Sequence, residues 1–267
     1  MTQGFNHASA VELIDSENGS RRYRAEVHDG WDIGGNANGG YVLAIAGRAM
    51  ADAAGRPPLT VTAHYLAPAP AGSCQVVVEP VRVGRRLATS TASLVQGDRE
   101  LIRVLGTFGR PSDGASERVD GAPPALPPYE ECPVGGDPAD PQLPGLAAQL
   151  AVRLRPGDDG FRTGQPSGRP EIAGWFAFAT EEPIDEIGLL LAADAMAPAV
   201  FNSDIPVAWV PTVELTVHVR AAPAPGPLRC LFRTRFITAG MLEEDGEIWD
   251  SRDRLVAQSR QLALTPR

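Results

Sequence analysis

Lysine is missing altogether from the 267 residues, so each of the 24 basic side chains is an arginine. A lysine Schiff base and the lysine of a phosphate-binding P-loop are thereby excluded, and any anionic ligand must be met by arginine or by backbone N–H groups. The net charge of −9 leaves no cationic surplus to neutralise phosphates, which argues against nucleic acid as a partner. Cysteine is scarce: Cys74, Cys132 and Cys230 are odd in number and widely spaced, which supports neither a disulfide framework nor a zinc site. His7, His28, His64 and His218 show no HxH or HExxH spacing, so neither a metal centre nor a resident cofactor is expected. Every apolar run falls short of the roughly 18–20 residues that cross a bilayer, and the N-terminus has no basic stretch leading into an apolar core. A cytoplasmic protein without a membrane partner is the expectation. A G-x-S-x-G string is absent too, which counts against a serine nucleophile on a strand–helix elbow.

Glycine and proline are abundant, at 28 and 25 residues. The stretch holding Pro123-Pro124, Pro127-Pro128 and Pro133 reads as a surface connector over 111–147. It separates an N-terminal unit, 1–110, from a C-terminal unit, 148–267, each large enough to bury a core of its own. Both units carry their elements in the same order. In the first, a strand over 22–27 is followed by a loop holding Gly34-Gly35 and Gly39-Gly40. A nearly uniformly apolar helix over 41–54 comes next, stopped by Gly55 and Pro57-Pro58, and then strands over 59–66, 74–83, 87–95 and 101–108. In the second, strands over 148–154 and 175–179 precede an apolar helix over 184–196. Strands follow over 212–220, 228–237, 246–249 and 255–264. The letters repeat as well: LTVTAHYLAPAPAG (59–72) matches VELTVHVRAAPAPG (213–226), with His64 over His218, and Cys74 and Cys230 fall at nearly the same offset. Self-similarity on this scale points to duplication of one helix-plus-sheet unit, an α+β fold.

Several segments carry a family likeness: Asn38-Gly39-Gly40-Tyr41 opening the first helix, the Arg-x-Gly-Arg string at 82–85, Asp194 in LLLAADAMAP, Thr212 in PTVELTVHV, and Gln261 in the closing DRLVAQSRQLAL. In order and spacing they resemble the acyl-CoA thioesterase II type, in which two hotdog units are fused in one chain. The resemblance implies a double hotdog, each unit an antiparallel sheet wrapped around a central helix, with the two units packed sheet to sheet. It implies hydrolysis of acyl-CoA or a related acyl thioester, with coenzyme A only as part of the substrate and no covalent acyl-enzyme. Asp194, Thr212 and Gln261 correspond to the set that holds and activates the water, and Gly39, Gly40 and Tyr41 to the helix start facing the thioester carbonyl. The first repeat has no aspartate matching Asp194, so one active site per chain is expected, and family habit implies a homodimer or higher oligomer.

The chemistry is compatible with this set, because a thioester carbonyl needs only an aimed water, a carboxylate base and donors for the developing oxyanion. From the residues alone, Asp194 either ends a helix in solvent or is a buried carboxylate whose raised pKa suits a general base. Gln261 shares a strand face with Leu255, Ala257, Ser259 and Ala263. It faces either a pocket or backbone partners, with an amide that both donates and accepts. Thr212 has the parity of Glu214, Thr216 and His218: either regular alternation turns it away from the helix side as an ordinary strand threonine, or twist at the strand start brings it to the pocket. The Gly39-Gly40 pair either presents free N–H groups at a helix N-terminus or is a flexible loop, and Asn36 and Asn38 either cap the helix or touch substrate. Arg82, Arg85 and Arg86 either meet the phosphates of coenzyme A or are solvated. Trp209 is a candidate wall for an acyl pocket, whereas His64 and His218 read as fold residues. Two other functions remain open: a hotdog hydratase or dehydratase, which pairs an aspartate with a histidine, and a non-catalytic acyl-CoA-binding protein.

Overall fold

Strands in both halves alternate buried and open positions as their sequences alternate apolar and polar residues, and the buried faces all turn to the same side. The computed structural model describes residues 4–110, 118–134 and 143–266. The first half runs α1 (Phe5–Ala8), β1 (Val11–Glu17), β2 (Ser20–Val27), a hairpin of β3 (Asp32–Ile33) and β4 (Asn36–Ala37), and α2 (Gly39–Ala54). It continues with β5 (Pro58–Tyr65), β6 (Gly72–Val83), β7 (Ala88–Gln96) and β8 (Arg99–Phe108). The second half comprises β9 (Arg153–Leu154), β10 (Glu171–Phe176), α3 (Gly188–Ala192), β11 (Thr212–Val219), β12 (Leu228–Arg233), β13 (Ile237–Thr238), β14 (Met241–Trp249) and β15 (Leu255–Leu264).

One antiparallel sheet joins them in the order β1-β2-β6-β7-β8-β5-β11-β15-β14-β12-β10-β9, with β13 attached to β14. The second half of this path is the first half reversed. At its centre β5 pairs β11 with Thr62 opposite Thr216, and the two hydroxyls lie 2.8 Å apart. These are the same position in the repeated strings, so a pseudo-twofold axis passes between them. The axis also exchanges the pair His64–Glu214 with the pair His218–Thr60. This is a double hotdog produced by duplication. The halves meet edge to edge in one continuous sheet rather than face on, which corrects the sheet-to-sheet expectation, and the sheet curls around α2 and α3.

Asn38 starts α2 by accepting the Tyr41 N–H at 2.9 Å, and Gly55 ends it in the left-handed region at φ 60°. Residues 40–47 of α2 are wholly buried, as a helix enclosed by a sheet must be. Where α2 and α3 cross, a Cβ on Gly40 would stand 2.9 Å from the Asp194 Cβ and 3.0 Å from the carbonyl oxygens of both Leu190 and Leu191.

The structure departs from the sequence reading in several places, among them the strand expected over 228–237, which ends at Arg233. The helix expected over 184–196 is only Gly188–Ala192, started by the Asp185 carboxylate accepting the Gly188 N–H at 2.7 Å. Its apolar flanks reflect burial between sheet and α2, not helical length. The strand expected over 148–154 is a 3-10 turn, Gly145–Ala148, with only Arg153–Leu154 extended, and that expected over 175–179 lies earlier, at Glu171–Phe176. Strand β14 begins at Met241, five residues before expectation, and β1 was unforeseen because, as a largely exposed edge strand, it shows no alternation. The connector over 111–147 lies partly outside the described residues. Its described part is tied to the second half, with Trp175 donating Nε1–H to the Pro127 carbonyl at 3.0 Å. No helix among the described residues is long and apolar enough to cross a membrane.

Replacing Gly40 by alanine gains about 1 kcal/mol of helix propensity but drives a methyl into two backbone carbonyls, a clash of about 1–3 kcal/mol or more. The clash should win: Gly40→Ala is expected to lower Tm by several degrees in thermal unfolding, and an unchanged or higher Tm would contradict this helix crossing.

Candidate functional site

Two residues beyond α3, Asp194 emerges at the N-terminus of α2, so a side chain from the second half sits on a helix end of the first. Its Oδ2 accepts the Gly40 N–H at 2.8 Å and the Asn38 Nδ2–H at 3.1 Å, and its backbone carbonyl accepts from the same amide at 2.8 Å. A carboxylate in this position meets both unsatisfied N–H groups and the positive end of the helix dipole. Burial outweighs these two hydrogen bonds and lifts the Asp194 pKa to about 6.

Thr212 reaches the same region by a route that simple alternation conceals. Thr212 pairs with Ala263, but Glu214 pairs with Leu262 and Leu215 with Gln261, so β11 carries a bulge between Thr212 and Glu214. The extra residue reverses parity and puts Thr212 on the inner face with Leu215, Val217, Gln261 and Ala263. There Gln261 donates its Nε2–H to the Thr212 hydroxyl at 2.6 Å. Among the described residues no hydrogen bond links this pair to Asp194.

Asp194, Thr212 and Gln261 all line one cavity of about 510 Å³, together with Gly39, Asn36, Asn38 and Tyr65. Apolar walls come from Ile33, Val42, Ile102, Met196, Phe201 and the segment 207–211, in which Trp209 is 54% exposed. The β3–β4 hairpin and the loop after β5 form the rim, joined by the Ala37 N–H donating to the Ala69 carbonyl at 2.8 Å. Volume and lining are those of a pocket for an apolar group with a few fixed polar contacts.

Two readings need correction, and the arginines of the third stand apart from the cavity. Gly40 does not offer a free N–H, because Asp194 takes it. Tyr41 gives its N–H to Asn38 and its hydroxyl to the Ala8 carbonyl at 2.7 Å, so its side chain points to α1 rather than into the cavity. Arg82, Arg85 and Arg86 are exposed and do not line the cavity. Their turn sits by the other end of α2, where Arg56 donates to the Gly84 and Arg85 carbonyls. A helix of 16 residues puts about 24 Å between its two ends. Within one chain these arginines cannot share a ligand group with Asp194.

Two residues were missed. Tyr65, at the end of β5, lines the cavity with its hydroxyl buried and unpartnered. Glu244 lies opposite Gln261 on the inner face of β14, where its carboxylate accepts the Ala199 N–H at 2.5 Å. Burial, with the negative charge of Asp194 nearby, pushes its pKa up to about 8. Only the two-residue alternation of β14 could have flagged Glu244, and the strand expected over 246–249 begins two residues after it.

The pseudo-twofold axis identifies the matching positions in the first half. Its bulge is retained, between Pro58 and Thr60, but Pro58 stands in place of Thr212, Gly106 in place of Gln261 and Ser90 in place of Glu244. Phe108, wholly buried, replaces Ala263, and its ring fills the space a side chain on Gly106 would need, 2.8 Å from the position of a Cβ there. The first-half counterpart is therefore plugged by an aromatic ring.

Comparison with known proteins agrees with this architecture. The family model of the acyl-CoA thioesterase N-terminal domain matches residues 27–109, and that of the acyl-CoA thioesterase C-terminal domain matches residues 129–265. An uncharacterized protein of Mycobacterium tuberculosis is 33% identical, the match covering 98% of each chain. A crystal structure from Thermobifida fusca, assigned as a thioesterase II, superposes with a TM-score of 0.87 at 30% identity, covering 100% of this chain and 98% of that one. An acyl-CoA thioesterase II of Mycobacterium marinum shares the fold, with a TM-score of 0.68 at 16% identity over 98% of each chain. The chain belongs to the acyl-CoA thioesterase family, as a fusion of that family's N- and C-terminal hotdog domains.

Proposed function

We propose that this protein hydrolyses acyl-CoA thioesters through a water held between Asp194 and the Thr212–Gln261 pair. The observation that carries this reading is the convergence of three polar side chains, from a loop and two strands of the second half, on one cavity at the N-terminus of α2. Ionised Asp194 accepts a proton from the water as its oxygen attacks the thioester carbonyl carbon. The carbonyl π electrons move to oxygen and return as the C–S bond breaks, and the thiolate recovers the proton, leaving acid and thiol. The Gln261 amide and Thr212 hydroxyl fix the direction of attack without titrating. Apolar walls receive the acyl chain. No arginine lines the cavity, so the phosphates of coenzyme A lie outside it.

No histidine is found among the cavity-lining residues, and both His64 and His218 are exposed on the outer face of the sheet, which disfavours a hydratase built on an Asp–His pair. Retention of the whole polar set on the side not plugged by Phe108 disfavours a purely binding role.

Thiol release from acetyl-, hexanoyl- and palmitoyl-CoA tests the proposal. Wild-type protein should release thiol from at least one, and Asp194→Asn should lower kcat by about 10²-fold or more, the usual worth of a general base. Absence of thiol release with all three would refute the reading. Because the base must be ionised, log kcat/KM should fall with unit slope as pH drops below about 6, the value to which burial raises Asp194; a profile flat down to pH 4.5 would exclude Asp194 as the base.

The same shift acts on stability. A carboxyl whose pKa is raised in the folded state binds its proton more tightly there, so its contribution is present below the unfolded value near 4 and lost as pH rises through about 6. The Tm of Asp194→Asn relative to wild type should therefore rise between pH 4 and pH 8. A difference that stays constant or falls would contradict the burial argument.

A further inference from the structure

The start of α2 has almost no donors left for an oxyanion. The Gly40 N–H goes to Asp194, the Tyr41 N–H to the Asn38 side chain and the Val42 N–H to the Asn38 carbonyl. Both N–H groups of the Asn38 amide are spent on Asp194, and one of the two on Gln261 is given to Thr212, leaving the rest of that amide for the water. Among the described residues only the Gly39 N–H remains without a protein partner at this helix end. Beside it stands Tyr65, whose Cε1 and Cζ lie 3.0 and 3.1 Å from the point a Gly39 Cβ would occupy, while Asp194 Oδ2 lies 2.9 Å from that same point. Phenol, glycine and carboxylate thus share one corner of the cavity, and the Tyr65 hydroxyl there is buried without a partner. A buried donor costs about 1–3 kcal/mol when nothing accepts from it, so the Tyr65 hydroxyl takes its acceptor from whatever fills the cavity it lines, and a ligand atom entering there can serve.

Duplication supplies a second, independent argument. The position matching Tyr65 in the second half is Val219, a buried residue pairing with Ala257 as Tyr65 pairs with Ile102. In the plugged counterpart, then, valine takes the tyrosine's place just as proline and glycine take those of Thr212 and Gln261. The hydroxyl occurs on the same side of the axis as the carboxylate.

We propose that Tyr65 is a catalytic hydrogen-bond donor to the thioester carbonyl oxygen, paired with the Gly39 N–H; this rests on the hydrolase reading above. As water adds to the carbonyl carbon and its proton passes to Asp194, the negative charge arriving on oxygen is met by these two donors, and when the C–S bond breaks the electron pair re-forms the carbonyl while the charge leaves on sulfur. Tyr65 transfers no proton. Burial, reinforced by the charges of Asp194 and Glu214, holds its pKa well above the usual value of 10, so it stays a donor throughout.

Tyr65→Phe removes the hydroxyl and keeps the ring that packs on Gly39. With hexanoyl-CoA, or whichever of the three thioesters above is turned over fastest, kcat should fall by about 10²–10³-fold, with KM within a few-fold of wild type. A kcat within threefold of wild type overturns the proposal, and so does a rise in KM with kcat unchanged. A direct readout uses Asp194→Asn with the same thioester bound: its carbonyl infrared band should lie below the solution frequency, and adding Tyr65→Phe should abolish most of that shift. A band unmoved by the second substitution also overturns it. Active wild type, inactive Asp194→Asn and normal Tyr65→Phe would reject this donor alone, whereas wild type that releases no thiol rejects both readings.

Discussion

The hydrogen bond from the Gly40 N–H to the Asp194 carboxylate ties the two halves of the molecule together at the site. It needs three things at once: a helix of the first half whose first turn is open, a glycine at its second position so that α3 can approach, and a chain that leaves α3 after five residues. An anion at a helix N-terminus is favourable by about 0.3–1 kcal/mol when exposed and up to about 2 kcal/mol when partly buried. Desolvation nevertheless outweighs the dipole and the two donors, which is why the pKa rises to about 6 rather than falling. An aspartate in water at neutral pH is a poor base. The same group, destabilised enough to accept a proton readily yet still largely ionised near pH 7, is a far better one.

Duplication accounts for how such a site was accommodated. Symmetry about the Thr62–Thr216 pair presents each feature twice, including the bulge that begins the central strand of each half. On one side the bulge aims Thr212 at the cavity beside Gln261. On the other it aims Pro58 at a space closed by Phe108, with Gly106 trimmed to admit the ring. A buried polar set is costly unless every member finds partners. Filling the unused copy with an aromatic ring removes that cost and leaves the strain of a cavity on one side only.

Much of the fold was legible because duplication is written in the letters: matching strings at 59–72 and 213–226 gave the two units, and the alternation of the last strand put Gln261 on the face with Ala263 and Ser259. The candidate site was legible in its residue types and less so in its geometry. Asp194 was singled out by being the only charge in an apolar run, but that run also predicted a helix more than twice too long, since burial between two layers looks the same in sequence as a helix buried all round. Thr212 carried the wrong parity because a bulge has no letter of its own. Gly39-Gly40 read either as free N–H groups at a helix N-terminus or as a flexible loop, whereas the second glycine serves close packing and its N–H is already engaged. The arginines of the 82–86 turn drew attention by the Arg-x-Gly-Arg string and the match of arginine to phosphate, and only the length of α2 shows how far they stand from the cavity.

Glu244 completes the electrostatics. It faces Gln261 from the neighbouring strand and, buried with a single backbone donor, is held protonated to about pH 8, whereas Asp194 gives up its proton near pH 6. Two carboxyls sharing a low-dielectric corner cannot both ionise cheaply, and the one with two donors and the helix dipole is the one that does. At neutral pH this division leaves one negative charge at the cavity, at the helix end, with a neutral acid behind the glutamine. Under the proposed hydrolysis, a second anion would repel the charge building on the thioester oxygen if both were ionised, and no base would remain to take the proton from water if neither were. The proposed mechanism therefore depends on the difference between two burial environments set by adjoining elements, α2 for Asp194 and β14 for Glu244.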